Sequence, residues 1–120
     1  MQTDFDDTES LYRAFKPQGI YVKEDGSFSS AIFKDSHGTS VDRLGGRDEM
    51  EAARILATRR ETKNIAAVTV GDCRSAETHV KQLPEDDNDY HCEIHKSPEE
   101  IVLSKKQCKK LIKCARFLEV

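Results

Sequence analysis

The segment Tyr90-His91-Cys92-Glu93-Ile94-His95 carries two imidazoles and a carboxylate at alternate positions. On a strand the side chains alternate with period two, so Tyr90, Cys92 and Ile94 face one side and His91, Glu93 and His95 the other. The first set reads as core and the second as chemistry. At about 7 Å per alternate step, two of the three polar groups can share a divalent metal ion. A third ligand would come from the preceding acidic turn, Glu85-Asp86-Asp87-Asn88-Asp89. The same groups serve general acid/base work without a metal, with Glu93 as base or as orienter of an imidazole and His91 nearest a cleft. A polar strand face closed by cross-strand pairs is the plain structural alternative. The spacing differs from the helical HExxH zinc pattern, whose histidines lie four apart.

Other polar groups compete for attention. Ser40-Val41-Asp42-Arg43 sets a hydroxyl, a carboxylate and a cation together, with Ser40 and Asp42 on one strand face and Arg43 on the other. A hydrolase triad with His91 is conceivable, but the chain has no G-x-S-x-G elbow, and a structural pairing of Asp42 with Arg43 at a strand end is the simpler reading. Arg13, Ser40 and Arg43 are the residues expected to complete a catalytic set around His91 and Glu93. On the last helix Lys106, Lys109, Lys110 and Lys113 recur at i, i+3, i+4 and i+7, flanked by Lys105 and Arg116. Such a stripe suits phosphate contacts with nucleic acid, or an acidic protein partner, and equally a solvated face whose cations favour a helix C-terminus. Gly45-Gly46 ahead of a helix reads as a turn.

Composition narrows the class. The chain has 120 residues and a formal net charge of -3, enough for one core and too little for two with a cleft between them. Leu, Ile, Val and Phe make up about a fifth of it, so the core is thin. The sequence pI near 5.8 gives no global field toward nucleic acid or anionic membrane, and any such binding has to be local. No apolar run approaches the ~20 residues of a membrane span, and the acidic opening from Met1 to Asp7 differs from a basic, then apolar, leader. The expectation is a soluble cytoplasmic protein. Cys73, Cys92, Cys108 and Cys114 lack CxxC spacing and read as reduced thiols, with a two-bridge frame as the alternative for an exported chain.

These groups need elements to position them. Residues 1–10 read as a flexible acidic lead-in and 11–120 as one α+β domain. Asp7 or Thr8 caps a short helix through Phe15, although Leu11 to Phe15 also alternates like a strand. Ile20-Tyr21-Val22, the Asp25-Gly26 turn and Phe28 to Phe33 read as a hairpin, and Thr39 to Arg43 as a further short strand. Asp48 and Glu51 open a helix to about Arg60, with Met50, Ala53, Ile55, Leu56 and Ala57 as its apolar face. Ile65 to Val70 is a buried strand, Asp72 to Thr78 a polar connection with room for one helical turn, and His79 to Leu83 a strand ended by Pro84. Ser97-Pro98-Glu99-Glu100 starts a helical turn, and Ser104 caps a last helix from Lys105 to Leu118. The sum is a small antiparallel sheet of about five short strands with two main helices packed on one face.

Leu11-Tyr12-Arg13, Phe28-Ser29-Ser30 and the late Glu93 loosely resemble the Arg…Ser…Glu order of ADP-ribosyltransferase-like folds. The resemblance implies that Arg13 holds the phosphates of a nicotinamide dinucleotide, that Ser29 and Ser30 shape the nicotinamide pocket, and that Glu93 assists transfer to the acceptor. The Ser-Thr-Ser strand of that family is absent here, and Glu93 belongs to no Glu-x-Glu pair.

Overall fold

The elements, in chain order, are strands β1 (Ser10–Phe15) and β2 (Thr39–Arg43), helix α1 (Glu49–Arg59), strand β3 (Asn64–Thr69), helix α2 (Val70–Ser75), strands β4 (His79–Gln82) and β5 (His91–His95), helix α3 (Lys105–Cys114) and strand β6 (Arg116–Glu119). They are taken from a computed structural model that describes residues 5–120. The six strands form one antiparallel sheet in the order β4-β5-β2-β1-β3-β6. The fold is α+β, with one more strand than expected. No helix among the described residues is long and apolar enough to cross a membrane.

Alternation along the strands sorts the core into two clusters. Leu11, Phe15, Val41, Ala66, Val68, Cys92 and Ile94 pack with Cys108 and Leu111 of α3 and with Val70 and Cys73 of α2. Tyr12, Ile65 and Ala67 pack instead with Ala52, Ala53, Leu56 and Ala57 of α1. Successive residues of β1 and β3 belong to different clusters, so α1 and α3 cover opposite faces of the sheet rather than one. Both helices start on capping side chains: the Glu51 amide donates to Asp48, and the Gln107 amide to Ser104. Met50 and Ile55, read as part of the apolar face of α1, are exposed.

Four other expectations are corrected. Leu11 to Phe15 is strand, because all six residues of β1 pair with β3, from Ser10 opposite Thr69 to Phe15 opposite Asn64. A short apolar run obeys whichever period its neighbours reward. Phe28 to Phe33 is not a strand: only a single bridge joins Val22 to Phe28, and Ser29 caps a 3-10 turn over Ser30–Phe33 by accepting from the Ala31 amide. The last helix stops at Cys114, since Arg116 to Glu119 is taken up as β6 on β3. Ser97 accepts from the Glu99 and Glu100 amides without a helical turn forming. The lead-in, apart from residues 1–4 outside the described range, is tied down: Phe5 is buried, the Glu9 carboxylate grips Arg43, and Asp7 pairs with Arg74.

Candidate functional site

The sheet parts between β1 and β2. These strands pair only at Leu11–Arg43 and Tyr12–Asp42, whereas β1 continues along β3 to Phe15 and β2 along β5 back to Thr39. A wedge therefore opens between residues 13–15 of one strand and 39–41 of the other. Backbone carbonyls that face such a wedge lose their ladder partners and need substitutes. Arg13 supplies them, its Nε donating to the Ile32 carbonyl at 2.6 Å and its Nη1 to the Ser40 carbonyl at 2.9 Å. Asp35 lies 3.7 Å from Nη2. Burial pulls the Arg13 guanidinium below its ordinary value, and the Asp35 carboxylate opposes that shift. Thr39 donates its hydroxyl to the Phe33 carbonyl, fastening the 3-10 turn to the same opening.

At the mouth of the wedge lies a polar cavity of about 160 Å³ lined by Arg13, Asp35, Ser40, Asp42, Arg60 and His91. Register places Asp42 opposite His91, and Ser40 opposite Glu93. Asp42 is 2% exposed and His91 4%. Asp42 accepts from Asn88 Nδ2 at 2.9 Å and stands 3.5 Å from Arg59 Nη1, so its charge is met from the acidic turn and from α1. The expected Asp42–Arg43 pairing does not occur. Nor does a Ser-His-Asp triad, because His91 Nδ1 donates to the Leu83 carbonyl at 2.8 Å rather than to Asp42. A carbonyl only accepts, so the neutral ring carries its proton on Nδ1 and its lone pair on Nε2. The nearest carboxylate to Nε2 is Glu85, at 4.0 Å.

The other residues singled out from the sequence fall in different places. His95 Nε2 donates to Glu93 Oε1 at 2.7 Å, and the backbone of Gly38 closes over this pair. A Cβ on Gly38 would come within 2.4 Å of that same oxygen. The strand face read as open is thus covered at His91 and at His95. Among the described residues no three His, Cys, Asp or Glu side chains gather as a metal site, and the metal reading of His91, Glu93 and His95 is withdrawn. Arg43 points away from the cavity. It grips Glu9 through Nε at 2.8 Å and Nη2 at 2.6 Å, over the Phe5 ring, and the hydrogen bond holds the Glu9 carboxyl below its usual range. Arg43 clasps Glu9 and does not line the cavity that holds His91.

Ser29 and Ser30 line a separate cavity with Lys34 and Lys105, one that Arg13 does not line. The serine strand that an ADP-ribosyltransferase-like site requires is missing, and Arg13, Ser29, Ser30 and Glu93 share no cavity. On α3, Lys106, Lys109 and Lys113 are exposed and Lys110 is half-buried. Asp35, Asn88, Arg59 and Arg60 were missed from the sequence. Asn88 alone carried a local hint, as the one amide among four carboxylates in the turn.

A larger cavity, about 500 Å³, runs beside the edge strand β4 and is lined by Phe5, Arg74, Thr78 and residues His79 to Gln82. Its size reflects an open sheet edge, whereas the smaller cavity gathers buried and half-buried polar groups from β1, β2 and β5. Comparison of the chain with protein-family models, with curated proteins and with solved structures finds no match.

Proposed function

We propose that the protein handles a small ligand in the cavity where β1 and β2 part, with His91 exchanging a proton with it. The observation that carries this reading is the buried imidazole that lines one cavity with Ser40 and Asp42 and whose Nδ1 is tied to the Leu83 carbonyl, which leaves Nε2 as the ring's proton acceptor. Burial of neighbouring polar groups around a concave site is what general acid/base chemistry requires. Glu93 acts at one remove, holding His95 and the loop over it. The test is a small-ligand screen read by NMR of the full chain. Ligands that bind should shift Ala14, Ser40 and His91 together, and His91→Gln should abolish that response. Hits gathered along Thr78 to Gln82 with His91 unmoved would refute the reading.

A second reading concerns α3. The exposed Lys106, Lys109 and Lys113 have no carboxylate within ion-pair distance among the described residues, which favours an acidic partner, nucleic acid or protein. Oligonucleotide affinity that falls with salt, and whose salt slope flattens by about 0.9 per lysine changed to Gln, would support nucleic acid. Affinity independent of salt and of those lysines would remove it.

A further inference from the structure

A second cavity, of about 290 Å³, shares Arg13, Ala14 and Arg60 with the first. The two adjoin at these residues, and their volumes together reach the lower end of the ~300–1,000 Å³ typical of small-molecule clefts. Their chemistry differs. The first holds Asp35, Asp42 and His91, whereas the second has an apolar wall of Phe15, Tyr21 and Ile32 under a rim of Lys16 and Arg60. Phe15 is held edge-on against Phe28 at 5.0 Å between ring centroids, so this wall is rigid. Asp35 lies against Arg13 and Asp42 against Arg59. Lys16 and Arg60 are exposed and no carboxylate lies within ion-pair distance of either among the described residues. Two uncompensated cations at the lip of a concave apolar surface attract an anion whose body can lie flat against it.

We infer that the joined cavities take a ligand with an aromatic body and a phosphate, the class of a nucleoside monophosphate. The phosphate meets Arg60 and Lys16, and the ring lies against Tyr21. This rests on the reading of the His91 cavity as a ligand site and names what enters it. A guanidinium at the junction binds a phosphate through two parallel N–H bonds, the arrangement that sets Arg60 above Lys16 in importance.

The experiment is titration of the full chain with adenosine 5′-monophosphate, adenosine and inorganic phosphate, by calorimetry and NMR. The monophosphate should bind at least about tenfold more tightly than either part, and Arg60→Ala should weaken it by about tenfold and Lys16→Ala by a smaller factor. Adenosine binding should change little in both variants. Both side chains are exposed, and circular dichroism should show both variants folded. Monophosphate affinity no better than that of adenosine, or unchanged in both variants, overturns the inference. His91 separates the two claims. If an uncharged ligand moves the imidazole while phosphate adds nothing, the ligand class falls and the proton-exchange reading stands. If the monophosphate binds through Arg60 with His91 unmoved, the ligand class stands and the proton-exchange reading falls.

Discussion

Arg43 and Arg13 belong to neighbouring strands, and each sits at one end of the short β1–β2 ladder, yet they are satisfied in opposite ways. At the closed end Arg43 meets a carboxylate, with both Glu9 oxygens taken and the Gly45 amide donating to the same group at 2.9 Å. Charge is cancelled there and the chain is sealed. At the open end Arg13 meets two carbonyls, with Asp35 only at 3.7 Å. Carbonyl dipoles hold the guanidinium in place and Asp35 meets its charge from a longer distance, and this is where the cavities lie. The ion pair closes the sheet, and the substitute ladder keeps it ajar.

The comparison breaks first at Arg13. Arg13→Ala leaves two inward carbonyls without their donor and Asp35 without its guanidinium, and should cost about 3–5 kcal/mol in urea unfolding. Arg13→Lys should recover less than half of that, because a single ammonium cannot reach both carbonyls as a planar fork does. A cost near zero would mean that the wedge needs no pin.

Arg43→Ala comes next, at about 1.5–3 kcal/mol, with Glu9→Ala costing a similar amount and the double change little more. Its pH dependence has a definite sign. The Arg43 hydrogen bond depresses the folded Glu9 carboxyl below the ordinary 4.5. The pair's stability is therefore fully present above that unfolded value and is lost as pH falls through the lower folded one. The gap between wild type and Arg43→Ala should be widest at neutral pH and should shrink in acid. A constant gap would assign the cost to lost packing on Phe5.

Gly38→Ala probes the far end of β5. With φ at +109° and a Cβ within 2.4 Å of Glu93 Oε1, alanine should cost more than about 1 kcal/mol. The Glu93–His95 pair should be displaced with the His91 resonances unchanged. Movement of all three together would show one connected site where the structure has two.

The smallest effect is in thiol reactivity. Burial pushes Cys73 and Cys92 up to about 12, and Cys108 upward as well, so native protein should label at the exposed Cys114 alone. Arg43→Ala should speed labelling of Cys92, which sits on the closed face, and Ser40→Ala should not.

Legibility in the sequence followed the range of the forces involved. The alternation of Cys92 and Ile94 against His91 and Glu93, the Asp48 cap, the free cysteines and the apolar run from Ile65 are local, and the structure contains them as read. Leu11 to Phe15 fitted two periods equally, and pairing with a strand some fifty residues later decided it. Arg116 to Leu118 read as the end of the last helix, and pairing with β3 makes them strand. The wedge has no local signature, since it arises where β2 follows β5 and β1 follows β3. The same holds for Asn88 reaching Asp42 across 46 positions. Arg13, Ser40 and His91, chosen for their chemistry, do line one cavity, while Arg43 and Glu93, chosen on the same grounds, do not.

The side-chain nitrogen spectrum of His91 tests the central claim most directly. The account predicts a ring with its proton on Nδ1, bonded to the Leu83 carbonyl, and an Nε2 resonance that shifts when ligand fills the wedge. A ring protonated at Nε2, or an Nε2 resonance indifferent to every bound ligand, would contradict it.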